Sequence, residues 1–421
     1  MIVIFEDEYF KKLLPLTYMR PVYELRCGMK TLLGKIIGLY PKENISLHMR
    51  SYLAATRKKI HPYAINSLKE EDTLFLNGRI LADQKTKISI SGDEELLIHG
   101  EDEVAAFRVK KENIKKITTI INNVFSQKAL EAAGIPFRKH NISNINLIKY
   151  PWQLVHKNSK EIISDFANIK AGMHGKIYQD VNLLNKKNIH IGRSSKILPG
   201  VTINAEDGPV FIGDDVEVME NAVLRGPVSI GNGSKIKVGA KIYEGTSIGP
   251  VCKIGGEVEG SIFHGYSNKQ HDGFIGHSYI SEWVNLGAGT DNSDLKNNYG
   301  HVKVYIDGKL VDSGETFVGL TMGDHTKCGI GTTFNTGSVI GVSCNLYGSG
   351  FHSKEIPSFT WGSPQNYVEY DPKKALEVAK RVLGRRKIEM SKEEEQLFMY
   401  VYQLTSLERD RGNIKKGTID I

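Results

Sequence analysis

Residues 212–255 read Ile212-GDDVE-Val218-MENAV-Leu224-RGPVS-Ile230-GNGSK-Ile236-KVGAK-Ile242-YEGTS-Ile248-GPVCK-Ile254-Gly255. An aliphatic residue returns at every sixth position without a slip, and Gly often follows it, as at Gly213, Gly231, Gly249 and Gly255. Ile191, Ile197 and Ile203 keep the same step upstream. A helix would return its apolar face at three and four residues, a strand at two. A sustained period of six is the mark of a parallel β-helix, in which three six-residue sides close one triangular coil. The aliphatic residue of each side then points inward, and β-branched side chains suit that packing because their χ1 is already restricted.

Outward from that stretch, the chain of 421 residues is long enough for two or three domains. The net charge of +7 comes from scattered Lys and Arg with only short clusters, such as Arg385-Arg386-Lys387. That balance suits anionic small molecules as well as it suits nucleic acid; phosphorylated small molecules are the expected ligands, with no nucleic-acid partner. Cys27, Cys252, Cys328 and Cys344 form no C-x-x-C pair, so they read as buried free thiols of a reducing, cytoplasmic compartment. The opening Met-Ile-Val-Ile-Phe runs straight into Glu6-Asp7-Glu8, which predicts a buried strand and not a signal peptide. No apolar run reaches eighteen residues, so no membrane span is expected.

Residues 1–150 predict a mixed α/β domain. Strands are expected at Ile2 to Phe5, from Leu74, at Ile88 to Ile90, at Glu95 to Ile98 and at Val104 to Val109, with Ser91 to Glu94 as a hairpin turn. A single helix is expected from Ile114 to Ala133, stopped by Gly134 and Pro136. Pro151-Trp152 opens a helical connector, residues 151–176. The β-helix spans 177–370. Its period fails at Ser261 to Gly273, read as a protruding segment, and again at Asp291 to Val302, before resuming at Met322, Cys328, Phe334, Ile340 and Leu346. Residues 371–421 have helical spacing and are expected to cap the open end of the solenoid, with the last ten residues loose.

A repeat scaffold places its chemistry where the repeat fails. Between the two breaks lies His271-DGFI-Gly276-His277-SYISEWV-Asn285-Leu-Gly-Ala288-Gly289-Thr290, followed by Asn298-Tyr299. This segment resembles the acetyltransferase half of the bifunctional glucosamine-1-phosphate N-acetyltransferase / N-acetylglucosamine-1-phosphate uridylyltransferase family. It shares a His, a Gly a few residues on, an Asn-aliphatic-Gly-Ala-Gly-Thr turn and an Asn-Tyr. The resemblance implies a left-handed β-helix using acetyl-CoA, with His271 as general base and Asn285 on the amino sugar. Ala288 and Gly289 would stand at the acetyl group, and Asn298 and Tyr299 against substrate or coenzyme A. Histidine suits the task, since its pKa near ~6.5 lets it take a proton from an ammonium at neutral pH. The family's Arg before Pro-Gly and its paired lysines are absent; Tyr243-Glu244-Gly245 and Gly260-Ser261 stand there. Lys269 or Lys241 is the expected substitute for the sugar phosphate. On Thr321 to Lys327, His325 is a rival base and Lys327 a partner for coenzyme A phosphates.

Leu14-Pro15-Leu16-Thr17-Tyr-Met-Arg20-Pro21 resembles the sugar nucleotidyltransferase signature, although Glu6 to Phe10 replaces its Gly-rich loop and Val22 its Lys. With Pro151-Trp152-Gln153 and Gly276-His277-Ser278-Tyr279, the chain resembles a divergent branch of the same bifunctional proteins. That implies a site for NTP and sugar phosphate built from Thr17, Arg20, Arg26, Lys35, Asn77 and Arg79. Arg79 stands where the family carries the Asp that binds Mg²⁺, so Mg²⁺ is implied only if this half is active, and no metal ligand is named. The family also implies a homotrimer. Two other readings remain open. One is a zinc hydratase of the β-helix class using His264, His271 and His277. The other is a sugar-nucleotide sensor with no catalysis.

Overall fold

The computed structural model describes residues 1–120 and 124–417. Six stretches of the first 110 residues, with Arg138–Ile142, build one seven-stranded sheet. Its order is Ala64–Ile65, Ile45–His48, Ile2–Phe5, Thr73–Asn77, Glu103–Val109, Glu95–His99, Arg138–Ile142. Ile2–Phe5 is buried on both faces and pairs in parallel with both neighbours, as expected for a continuous apolar run in the middle of an α/β sheet. Ile88 to Ile90 forms no strand; Glu95–His99 pairs instead with Glu103–Val109. The helix expected from Ile114 to Ala133 is two, Ile114–Ile120 and Gln127–Ala132. The part of it at 121–123 lies outside the described residues. Phe125, between the two, is buried against Phe5 and Phe107, and its ring contacts explain why the chain leaves helix there.

The hexapeptide period builds the parallel β-helix it predicts, as three stacks of parallel strands. Its three faces are called A, B and C here, in the order the chain visits them. Face C is a continuous nine-stranded sheet, whose inward column is Ile191, Ile212, Ile230, Ile248, Phe263, Ile280, Met322, Ile340 and Ile356. All nine are buried, each contributing on the order of 1.5–3 kcal/mol relative to exposure.

Residues 261–273 do not protrude. Ile262–Phe263 lies on face C, Asn268–Lys269 on face A and Phe274–Gly276 on face B, all in register with the coil before. The period slips for two reasons: the step from Val258 to Phe263 loses a residue, and Lys269 occupies the inward position that Ile254 holds one coil earlier. The second break is a true excursion. It carries the antiparallel hairpin Lys303–Ile306/Lys309–Asp312, whose Val302, Val304 and Ile306 pack on Trp152.

The connector is a helix only over Pro151–Phe166, and it is a wedge. Leu154 and Val155 join Leu13, Leu16, Val22 and Leu25 of the first domain and Ile262 and Tyr279 of face C in one buried cluster. The tail helices Pro372–Gly384, Lys392–Leu404 and Ser406–Arg411 do more than cap the solenoid. Ala375, Ala379, Phe398 and Val401 are buried in one cluster with Phe359 of the last coil and Tyr18 and Leu53 of the first domain. The end of the chain is pinned through Ile414, which is buried, and Lys415, which accepts from Glu369 N–H. Residues 418–421 lie outside the described residues.

Candidate functional site

Two consecutive coils meet at the corner between faces A and B. Gln270 to Gly273 forms one turn and Gly287 to Thr290 the next. They are joined by Gly289 N–H donating to Asp272 O at 2.8 Å. The approach is close: a Cβ on Gly273 would lie 2.3 Å from Thr290 O, so this corner requires glycine. His271 is exposed on the lower turn. On the upper turn Gly287 N–H is taken by Cys328 O, whereas Ala288 N–H makes no hydrogen bond among the described residues. An open base and an open backbone donor therefore share one corner, which is what attack on an acyl carbonyl needs.

Asn285, half-buried on face A, leads from this corner into a cavity of about 390 Å³. Gln270, Asn268, Lys253 and Lys327 line it from the solenoid, and Arg385 and Arg386 from beyond the end of the helix Pro372–Gly384, which roofs it. Burial, which disfavours a charged amine, lowers the Lys327 pKa to about 7.

Lys269, expected on phosphate, points into the solenoid. It is 1% exposed and its Nζ donates to Gly255 O at 3.1 Å and His271 O at 2.9 Å. Burial lowers its pKa to about 8. The folded protein releases this proton near pH 8, whereas the unfolded chain holds it to about 10.4. Stability therefore rises with pH across that window. In Lys269→Met that component should vanish. Urea denaturation of both proteins at pH 8 and pH 10 should show a smaller rise in the variant, by up to about 1.4 kcal/mol per pH unit.

Asn298 and Tyr299 lie on the excursion, not on the corner, and Tyr299 is 73% exposed. His264, His271 and His277 fall at three different corners of the coil. His264 contacts Tyr279 Oη at 3.0 Å, and burial depresses its pKa; His277 Nδ1 is 2.8 Å from Asp294. No group of three His, Cys, Asp or Glu that could hold a metal occurs among the described residues, so one chain assembles no zinc triad from them. His325 is buried, and burial together with Lys327 depresses its pKa; as a base it is out of reach of a substrate on the corner. The Arg385-Arg386 contribution escapes a sequence reading, because it joins the tail to a coil 118 residues earlier, as in the bond from Arg386 to Asn268.

In the first domain the expected phosphate ligands are held by the protein itself. Arg20 pairs with Asp324 and, at 3.0 Å, with Glu282 of the solenoid. Lys35 sits between Glu161 and Asp165 of the connector at 2.7 and 2.8 Å. Arg79 is fully buried between Asp7 and Glu103 at 2.7 and 2.8 Å. Thr17 donates to Phe10 O, Asn77 to Asp7 and Val104 O, and Arg26 to Met29 O and His264 O. All six are at least half-buried: the charges of Arg20, Lys35 and Arg79 need fixed counter-charges there, and the polar groups of Thr17, Arg26 and Asn77 need hydrogen-bond partners. The Arg79 cluster does not fit a divalent cation, because the guanidinium already occupies the carboxylates. Lys11 and Lys12, with Tyr9, Tyr150 and Lys309 of the excursion, line a cavity of about 450 Å³.

Residues 2–174 match the family model described as sugar nucleotidyl transferase. A bifunctional sugar-1-phosphate nucleotidylyltransferase/acetyltransferase of Sulfurisphaera tokodaii is 33% identical over 172 residues, covering 36% of this chain and 43% of that protein. The bifunctional protein GlmU of Acidithiobacillus ferrooxidans is 29% identical over 157 residues, covering 37% and 33%. The chain thus spans less than half the length of these relatives. A UDP-N-acetylglucosamine acyltransferase of Francisella novicida is a structural neighbour at TM-score 0.31 and 14% identity, covering 57% of this chain and 79% of that one. No helix among the described residues is long and apolar enough to cross a membrane. Residues 2–174 are thus similar to sugar nucleotidyl transferases, and the chain is similar over part of its length, at modest identity, to bifunctional nucleotidylyltransferase/acetyltransferases.

Proposed function

We propose that this protein is a bifunctional cytoplasmic enzyme that N-acetylates an amino-sugar phosphate and transfers a nucleotidyl group to a sugar 1-phosphate, giving a sugar nucleotide such as UDP-N-acetylglucosamine. The single observation that carries the acetyl half is the corner at which His271 and the Gly287–Thr290 turn stack on consecutive coils. Acetyl-CoA supplies the acetyl group there. Asn285 orients the sugar, His271 takes the proton from its ammonium, and Ala288 N–H faces the developing oxyanion. Arg385 and Arg386 hold phosphates, whereas Lys327, expected on coenzyme A, donates its Nζ to Trp283 O and His325 O. The nucleotidyl half rests on the family match over residues 2–174, with Lys11, Lys12 and Lys309 as its cations. No step is assigned to Mg²⁺, because Arg79 fills the position at which the family resemblance puts its ligand.

A homotrimer fits the exposure pattern. The first domain covers face C and the tail roofs part of face A, whereas Val223 on face B and Val238 and Ile330 at its corner are 42%, 62% and 79% exposed. Large apolar side chains left on one side of a solenoid suit a second copy. Four free, buried cysteines fit a reducing compartment.

The deciding assay supplies glucosamine 1-phosphate, acetyl-CoA, Mg²⁺ and one NTP at a time. Free coenzyme A and pyrophosphate are measured separately. Release of both supports the reading; coenzyme A without pyrophosphate leaves an acetyltransferase with an idle first domain; neither product overturns it in favour of the sensor. Light scattering at three times the chain mass is expected, and a monomer counts against sites shared between subunits.

A further inference from the structure

The second break in the solenoid leads into the hairpin Lys303–Ile306/Lys309–Asp312, and its two ends are held in different ways. At its root Val302, Val304 and Ile306 are buried against Trp152, on which the Tyr150 ring stacks at 4.4 Å and 6°. At its tip Asp307 and Gly308 have left-handed backbones, φ +49° and +69°, as a two-residue hairpin turn requires. The tip is held by charge. Arg411 of the tail donates from Nη1 to Asp307 O at 3.5 Å, with the Asp307 carboxylate at 3.7 Å, and its Nη2 lies 3.6 Å from Glu355 of the last coils. A Cβ on Gly308 would fall 2.4 Å from Arg411 Cζ, so glycine lets the guanidinium lie against the turn. These three side chains are partly exposed, and ion pairs of that kind are weak and screened by salt. A buried root with a lightly clipped tip works as a hinge: the tip moves without unpacking the root.

The hairpin crosses the 450 Å³ cavity of the first domain. Glu8, Lys11 and Lys12 line it from that domain, and Asp307 and Lys309 line it from the hairpin. The solenoid half therefore supplies a wall and a cation to a cavity whose other wall belongs to the first domain. The lysines attract a chain of phosphates, and the two carboxylates oppose it. Asp307 is the carboxylate that Arg411 engages. From the tail, Arg411 thus clips the hairpin tip and offsets the negative charge that arrives with Lys309. It acts on the cavity through Asp307, not by touching a ligand.

We infer that the hairpin is a strap that the solenoid half closes over the first domain's cavity, with Arg411 as the positioning residue that latches it, so that the first domain holds a polyphosphate tightly only while the strap is clipped. The closure stands on the cavity and the Arg411 contacts; its part in nucleotidyl transfer rests on the proposed function, which puts phosphates near Lys11, Lys12 and Lys309. The strap couples the two halves of the chain. Release of the tail weakens phosphate binding by the first domain, and by linkage phosphate binding holds the tail in place.

The test is calorimetric titration of the full chain with inorganic triphosphate, the group common to every NTP, without turnover. Saturable binding is expected in the parent. Arg411→Ala should weaken it about 5-fold or more at an unchanged Tm, although Arg411 belongs to the tail. In an Asp307→Asn background the same substitution should cost less than about 2-fold, because its main partner is already gone. Absence of binding by the parent, unchanged binding in Arg411→Ala, or the same fold-loss in both backgrounds would overturn the inference. A parent that binds triphosphate with this pattern of variants yet releases no pyrophosphate in the coupled assay leaves the strap standing and sinks the nucleotidyl reading. The two failures are therefore told apart.

Discussion

His271→Ala should lower acetyl transfer by about 10²-fold or more, the range for loss of a general base, while leaving Tm within about 1 °C of the parent. The second half of that expectation comes from position. His271 is exposed at a corner, and the contact that ties this residue into the coil is its carbonyl, which accepts from Lys269 Nζ. Alanine keeps that carbonyl. Two alternatives predict something else. If His277 were the base, held in one tautomer by Asp294 at 2.8 Å, His271→Ala would leave the rate within a few-fold and His277→Ala would carry the loss. If the protein were a sensor, neither substitution would change any rate. Single-turnover measurement of coenzyme A release at saturating acceptor separates these outcomes.

The solenoid was legible because its cause is local and repeated. Each Ile or Val of the hexads faces a column set by the residue one coil away, so periodicity alone places Ile230 under Ile248. The corner carrying His271 and Gly287 to Thr290 was legible for the same reason, since two turns one coil apart must stack. What misled was reading a lost period as a protrusion. Lys269 stands in an aliphatic column, and a charged residue breaks the pattern without breaking the coil. The first domain's cations were misread for a different reason. Sequence shows that Arg20, Lys35 and Arg79 follow a nucleotidyltransferase-like stretch, but their partners Asp324, Glu161 and Glu103 are distant in the chain. Only burial tells a phosphate-binding cation from one already paired.

That distinction can be measured at Arg79. Its side chain is fully buried, with Nη2 at 2.7 Å from Asp7 and 2.8 Å from Glu103 and Nη1 donating to Ile148 O. Arg79→Met keeps most of the volume and removes the charge. Asp7 then retains Asn77 as a donor, and Glu103 retains Lys149 at 2.6 Å, but the two carboxylates face each other across an apolar gap. Breaking a buried pair by removing one partner costs about 3–5 kcal/mol, so the urea midpoint should fall steeply with the m-value unchanged. Adding Asp7→Asn should recover part of the loss, since the amide oxygen still accepts while one uncompensated charge is gone. The loss should also shrink toward low pH, where the orphaned carboxylates take up protons. A phosphate ligand behaves otherwise. If Arg79 gripped nucleotide, Arg79→Met would raise KM for the NTP, leave the urea midpoint nearly in place, and Asp7→Asn would restore nothing. Denaturation and kinetics on the same three proteins therefore decide whether this arginine builds the domain or serves its substrate, and the ion-pair geometry favours the former.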